Sequence, residues 1–284
     1  MTNDTAVRVS GLRKRYGDTF AVDGVELEIG RGEVFALLGP NGAGKTTTVE
    51  ILEGFRRRDG GVAEVLGQDP GRAGRAWRAR IGIVLQLASA GPELTVREMV
   101  RHFAGFYPRP RDPDEVIELV GLAGQAGQRI STLSGGQARR VDVALGIVGR
   151  PELLFLDEPT TGFDPQARRQ FWELIRALAA EGVTIVLTTH YLEEAETLAG
   201  RLAVLAGGRV VATGTPAALG GANRPTRVGW DTADGRRTVQ TRAPTQVVAE
   251  LARQFSGEVP GLTVNRPTLE DTYLQLIGDL GGAA

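Results

Sequence analysis

The sequence predicts an α/β protein with a largely parallel sheet, an antiparallel β flank, a helical insertion and a small α+β appendage. Two observations carry that expectation. Short runs rich in Val, Ile and Leu recur at Val34 to Leu38, Ile81 to Leu85, Leu153 to Leu156, Thr184 to Leu187 and Leu202 to Leu205. Each is the length of a strand buried on both faces. Helix-like stretches lie between them, among them Lys45 to Phe55, Pro165 to Glu181 and Leu192 to Ala199. Strands alternating with helices build parallel sheets.

The flanking elements follow in order. Val7 to Ile29 reads as antiparallel strands with a turn near Gly17-Asp18. Leu87 to Gly149 has few strand runs, and its pieces Thr95 to Phe106, Pro113 to Val120 and Gly135 to Val148 predict a helical insertion between two core strands. Beyond Thr213-Gly-Thr-Pro216, the stretch Leu219 to Pro225 has the composition of a linker. Arg227 to Trp230 and Arg236 to Thr241 then flank Ala233-Asp-Gly235 as a hairpin, and Thr245 to Phe255 and Leu269 to Ile277 carry amphipathic patterns. The expected division is a core over 1–219 and an appended α+β unit over 220–284. A unit of about 65 residues is marginal alone, so it should pack on the core or on a partner.

Composition narrows the classes. The 284 residues hold 33 Lys+Arg against 34 Asp+Glu, a net charge of -1, with 42% apolar residues. That excludes a wholly disordered chain and argues against a protein that coats nucleic acid. The basic clusters Arg13-Lys14-Arg15, Arg56-Arg-Arg58 and Arg72 through Arg80 read as solvated surface, or as a face near anionic lipid headgroups. There is no cysteine, hence no disulfide, thiolate metal site or catalytic thiol. No apolar run approaches the ~18 residues of a membrane span, and Met1 to Ser10 has no signal-peptide core. A cytoplasmic origin is expected, with any anchor to a membrane supplied by something else.

Gly39-Pro40-Asn41-Gly42-Ala43-Gly44-Lys45-Thr46 is a G-x4-G-K-S/T loop between a strand and a helix, the context a phosphate-binding P-loop requires. Its glycines admit backbone conformations closed to other residues. Successive N–H groups, on through Thr47, and the helix N-terminus then face an anion. Lys45 is expected on the β- and γ-phosphates and the Thr46 hydroxyl on Mg²⁺. The chain has lysine only at Lys14 and Lys45, so a motif that demands lysine does not arise here from abundance.

Leu153 to Leu156 runs into Asp157-Glu158-Pro159. Two carboxylates ending a buried strand are costly unless a cation or strong donors meet them; solvated acids at a strand end are the plainer alternative. Downstream of a phosphate loop, Asp157 is expected to face Mg²⁺ and Glu158 to polarise the attacking water as general base. Leu133-Ser134-Gly135-Gly136-Gln137 opens a further helix and offers a second anion site.

These three motifs, in this order and spacing, resemble the ATP-binding-cassette ATPases, for which the five-residue signature Leu133 to Gln137 is highly specific. The resemblance covers Val7 to about Leu219 and extends to smaller motifs. It implies that Tyr16 stacks on adenine and that Gln86 senses Mg²⁺ and the γ-phosphate. It also implies that Asp164, in Gly162-Phe-Asp-Pro165, lies at a subunit contact, and that His190 is the switch histidine on the γ-phosphate. Taken alone, His190 would read as a satisfied polar residue at a strand end, and Tyr16 as a packing aromatic. In this family ATP is sandwiched between the P-loop of one subunit and the signature of another. One copy of each motif therefore implies a homodimer or a related partner.

Glu93 to Glu98, Thr161 to Pro165 and Thr189-His-Tyr-Leu-Glu-Glu-Ala195 look like the drug- and antibiotic-export subfamily typified by daunorubicin-resistance ATPases. Pro267 to Tyr273 is similar to the tail of that subfamily's accessory domain. The resemblance implies ATP and Mg²⁺ as cofactors and a separately encoded integral-membrane permease as partner. The insertion, particularly after Gln86, would receive that permease. A peripheral location on the cytoplasmic face of the membrane follows, with no nucleic-acid partner. The rival reading is a soluble cassette protein acting on ribosomes or DNA. A third is a sequestering or regulatory resistance protein.

Overall fold

The computed structural model describes residues 4–84, 93–220, 225–266 and 268–281. The chain divides into two compact units, Met1–Thr213 and Gly214–Ala284.

The first unit opens with β1 (Thr5–Tyr16) and β2 (Thr19–Gly30), an antiparallel pair turning where Gly17-Asp18 predicted it. Next come β3 (Val34–Leu38), α1 (Lys45–Leu52), β4 (Gly60–Val65), the short α2 (Arg75–Arg78) and β5 (Ile81–Val84). The insertion holds α3 (Val96–Ala104), α4 (Pro113–Leu119) and α5 (Gly135–Ile147). The core resumes with β6 (Leu153–Asp157), α6 (Pro165–Ala180), β7 (Thr184–Thr189), α7 (Leu192–Leu198), β8 (Arg201–Ala206) and β9 (Arg209–Gly214).

The main sheet has the order β5-β6-β7-β3-β8-β9, and β5 through β8 pair in parallel. β4, β1 and β2 make a separate antiparallel sheet. Between the sheets lies one apolar cluster, with Val7, Leu12 and Ile29 from the small sheet and Phe35, Phe155 and Val186 from the large one. Val49 and Leu52 of α1 are buried in the same cluster. Each such side chain, fully withdrawn from water, contributes about 1.5–3 kcal/mol. Trp77 belongs to it and still satisfies its indole N–H, which donates to the Val65 carbonyl at 2.8 Å.

Three differences from the sequence expectation have local causes. The first helix stops at Leu52 rather than Phe55, because Gly54 takes φ 75° and turns the chain out of the helix. β6 runs past its apolar stretch to Asp157, whose carboxylate accepts from the Thr188 hydroxyl of β7. β4 and β9 were not foreseen: β4 begins Gly60-Gly61, which reads as a turn, and the apolar run of β9 is only Val210-Val211-Ala212.

α5 lies close against β5. A side-chain carbon added at Gly82 would strike the Gly146 carbonyl, so glycine on each side lets helix and strand backbones approach. This contact seats the C-terminal end of α5 on the sheet.

The second unit holds α8 (Pro216–Leu219), β10 (Thr226–Thr232), β11 (Gly235–Thr241), α9 (Pro244–Gln254), β12 (Thr263–Asn265) and α10 (Leu269–Gly281). Its strands form an antiparallel sheet of order β11-β10-β12. Its core is small: Val228, Leu251 and Val259, with Trp230, Val247 and Phe255 packed around them. No helix of the described residues is long and apolar enough to cross a membrane.

Candidate active site

β3 lies between β7 and β8, so the loop leaving its C-terminal end emerges at the carboxyl edge of the parallel sheet, where such sheets bind ligands. Gly42 and Gly44 take φ 79° and 99°. A side-chain carbon at Gly39 would collide with the Leu205 carbonyl, and one at Gly44 with that of Ala21. The loop is therefore clamped between β8 and β2, with Asn41, Gly42 and Thr46 left exposed and Ala43 buried. Gly44 caps α1 and, being glycine, offers no side-chain acceptor to the first turn of that helix. Its N–H groups, Thr47 among them, remain for an anion.

Lys45 is buried at the mouth of the loop. Its ammonium donates to the Gly39 carbonyl at 2.7 Å and the Pro40 carbonyl at 3.2 Å, and lies 3.6 Å from Glu158 Oε1. Burial lowers its pKa, opposed by the attraction of Glu158 and Asp157. The Thr46 hydroxyl sits 3.3 and 3.5 Å from the two Asp157 carboxylate oxygens.

Asp157 and Glu158 stand at the end of β6, where Asp157 pairs with Thr188 of β7. The Thr188 hydroxyl donates to Asp157 Oδ1. Glu158 adopts φ 44°, a left-handed conformation that costs a non-glycine residue roughly 1–2 kcal/mol. Its backbone N–H is held by the Thr188 carbonyl at 3.2 Å and hydroxyl at 3.0 Å. From the other side the buried Arg139 of α5 donates to the carbonyls of Asp157 (2.9 Å) and Pro159 (3.2 Å), bracketing Glu158. Burial lowers the pKa of Arg139 and pushes its neighbour Asp142, 3.6 Å away, up to about 6 against the pull of the guanidinium.

The turn aims the Glu158 carboxylate inward. Oε1 is 3.3 Å from His190 Nδ1, and Oε2 accepts from the Thr161 hydroxyl at 3.5 Å. His190 follows β7 and lies against Tyr191, ring centres 4.1 Å apart. Below the site, Glu53 at the end of α1 is buried. Desolvation first, then the charges of Asp157 and Glu50, push its pKa up to about 8.

Five predicted residues thus converge: Lys45, Thr46, Asp157, Glu158 and His190. The signature residues do not join them. Ser134, Gly135, Gly136 and Gln137 line a different cavity of about 470 Å³, together with Asp164 and Gln170, to which none of the five contributes. Ser134 and Gln137 form a capping box: the Ser134 hydroxyl accepts from Gln137 N at 3.3 Å, and Gln137 Oε1 from Ser134 N at 2.9 Å. Asp164 caps α6, accepting from Ala167 N at 2.8 Å. Tyr16 ends β1, 43% exposed, with the Lys14 ammonium and Arg56 guanidinium 5.5 and 5.4 Å from its ring centre. Gln86 lies outside the described residues, as does the segment after it through Pro92.

The sequence reading missed Thr188 and Arg139. A hydroxyl directly after the apolar run Ile185 to Leu187, and a second arginine beside Arg140 on the signature helix, were the available signals.

The converging oxygens suit Mg²⁺, a hard ion usually held by one or two carboxylates with substrate phosphates and waters. A threonine hydroxyl and an aspartate within 3.5 Å of each other offer such a pair. Among the described residues no cluster of three or more His, Asp or Glu could hold a metal without outside ligands.

Residues 22–161 match the ABC transporter family. The chain is 39% identical over 306 residues to the daunorubicin resistance ATP-binding protein DrrA3 of Streptomyces coeruleorubidus, covering 97% of each protein. It is 39% identical over 304 residues to the Nod factor export ATP-binding protein I of Ralstonia nicotianae, covering 95% of this chain and 93% of that one. The fold matches a solved ATP-binding subunit of an ABC transporter with a TM-score of 0.72 at 23% identity, over 96% of this chain and 99% of the other.

Proposed function

The chain belongs to the ATP-binding-cassette transporter ATPases, and we propose that it powers export of a drug-like or other hydrophobic compound through a separately encoded membrane permease. The convergence of Lys45, Thr46, Asp157, Glu158 and His190 at the carboxyl edge of one sheet supports a hydrolytic role. The export role rests on the daunorubicin and Nod factor relatives. The first is named for resistance to a drug and the second for export of a Nod factor.

The site's work is positioning and electrostatics. The backbone of Gly39 to Thr46 and the ammonium of Lys45 hold the phosphates. Thr46 and Asp157, with Gln86 assigned by family register, would hold Mg²⁺, which when bound neutralises charge on the β- and γ-phosphates. Glu158 takes the proton of the attacking water, and His190, in contact with Glu158, orients the γ-phosphate. Tyr16 supports the adenine. A second copy supplies Ser134 to Gln137 across a homodimer interface, with Asp164 at that contact. Closing and reopening of the dimer drives the permease. The chain would then work as a peripheral protein on the cytoplasmic face of the membrane.

The test is affinity capture of Glu158→Gln from native membranes with ATP present. A polytopic membrane protein should accompany it. Ribosomes or nucleic acid, with no membrane protein, would replace this reading with that of a soluble cassette.

A further inference from the structure

We propose that Thr188 is a positioning residue for hydrolysis: one hydroxyl orients both the Asp157 carboxylate and the backbone of Glu158, so that metal ligand and general base keep a single geometry. The inference rests on the assignment of Asp157 to Mg²⁺ and of Glu158 to the attacking water.

Thr188 is fully buried in β7, following Ile185, Val186 and Leu187, which are also 0% exposed. A hydroxyl among such neighbours is costly unless bonded, and this one is bonded twice. Glu158 N can only donate, and it reaches Thr188 Oγ1 at 3.0 Å. An ionised Asp157 can only accept, so the single hydroxyl proton must go to Asp157 Oδ1. The direction of both bonds is thereby fixed. With Oδ1 engaged by Thr188, Oδ2 is the oxygen nearer the Thr46 hydroxyl, at 3.3 Å against 3.5 Å. The second bond helps hold Glu158 at its left-handed φ of 44°. Thr188 also lies two residues before His190, so one strand leads to both the carboxylate clamp and the histidine beside Glu158.

A threonine that merely filled the strand end would affect stability alone. A positioning residue also changes metal affinity and turnover while leaving nucleotide affinity in place. The experiment compares full-length Thr188→Val, Thr188→Ser and Asp157→Asn. Mn²⁺ binding to the chain loaded with a non-hydrolysed ATP analogue is read by electron paramagnetic resonance. Alongside it are measured analogue affinity in EDTA, ATP turnover and the unfolding midpoint.

Hydrogen bonds to charged groups are strong enough that Thr188→Val should weaken Mn²⁺ binding and slow turnover by about tenfold each. Affinity in EDTA should stay within about twofold, and Thr188→Ser should regain most of both losses. Metal affinity and turnover within about twofold of the parent in Thr188→Val would overturn the proposal. So would a Thr188→Ser as impaired as Thr188→Val, since shape rather than the hydroxyl would then matter. If Thr188→Val does not fold, Thr188→Ser against Thr188→Ala makes the same comparison, because both lack the methyl and one keeps the hydroxyl. Asp157→Asn separates the two levels. Lost Mn²⁺ affinity there, with none lost in Thr188→Val, overturns only the role of Thr188. Unaltered Mn²⁺ affinity in Asp157→Asn removes the metal assignment and this inference with it.

Discussion

Lys45 and Glu158 lie 3.6 Å apart, yet their replacements should fail differently. With Glu158 proposed to act on water, Glu158→Gln should cut turnover by roughly 10²-fold or more and keep ATP affinity. With Lys45 proposed to meet phosphate in ground and transition states alike, Lys45→Ala should lose nucleotide affinity itself. Steady-state ATPase assays beside equilibrium nucleotide binding separate the two. Glu53 makes a different prediction. Its pKa rises from 4.5 to about 8 on folding, so between those values the folded state binds more protons than the unfolded. Stability from this group is therefore intact below pH 4.5 and lost as pH rises through about 8. Glu53→Gln should flatten that decline and raise the unfolding midpoint at pH 8.5 by about 3 °C or more, read by thermal scans from pH 5 to 8.5.

Elements fix where these side chains stand. α5 begins at Ser134, and its capping box ties the signature to the helix that carries Arg139 to the Glu158 turn. Ser134→Ala should cost about 1 kcal/mol, a fall of about 2–4 °C in the unfolding midpoint measured without nucleotide. Ser134→Thr, which can still cap, should recover most of it. The legibility of elements follows the same physics. β3 appears with the bounds read from its apolar run, because a strand buried on both faces must be apolar throughout. β4 was not legible: its first residues are glycine, and its place is set by pairing with β1. The extra length of β6 was hidden for a related reason. Its polar end is buried where Asp157 and Thr188 meet across the ladder.

At the scale of the whole molecule, the chain holds its phosphate loop and its signature in separate places. The signature cavity receives none of Lys45, Thr46, Asp157, Glu158 or His190. A second copy can bring them together. Glu158→Gln with ATP should therefore double in mass by light scattering, and Lys45→Ala should not. A mass that stays single with saturating ATP would count against the sandwich dimer.

The P-loop, the Asp157-Glu158 pair and the signature were legible in the sequence as motifs, because such motifs need particular residue types at short, fixed spacing; His190 entered only through the family resemblance. The alternation of strands and helices was legible because burial on both faces imposes apolar runs. What only the tertiary structure decided is how distant segments share atoms. Thr188 gives its one proton to Asp157 and accepts from Glu158, and Arg139 reaches from the insertion to the carbonyls on either side of that residue. Those bonds join positions 18 to 31 residues apart, through parallel register and helix–sheet packing. No local pattern of residue types encodes them, because a buried polar group's partner is whichever element the fold sets beside it.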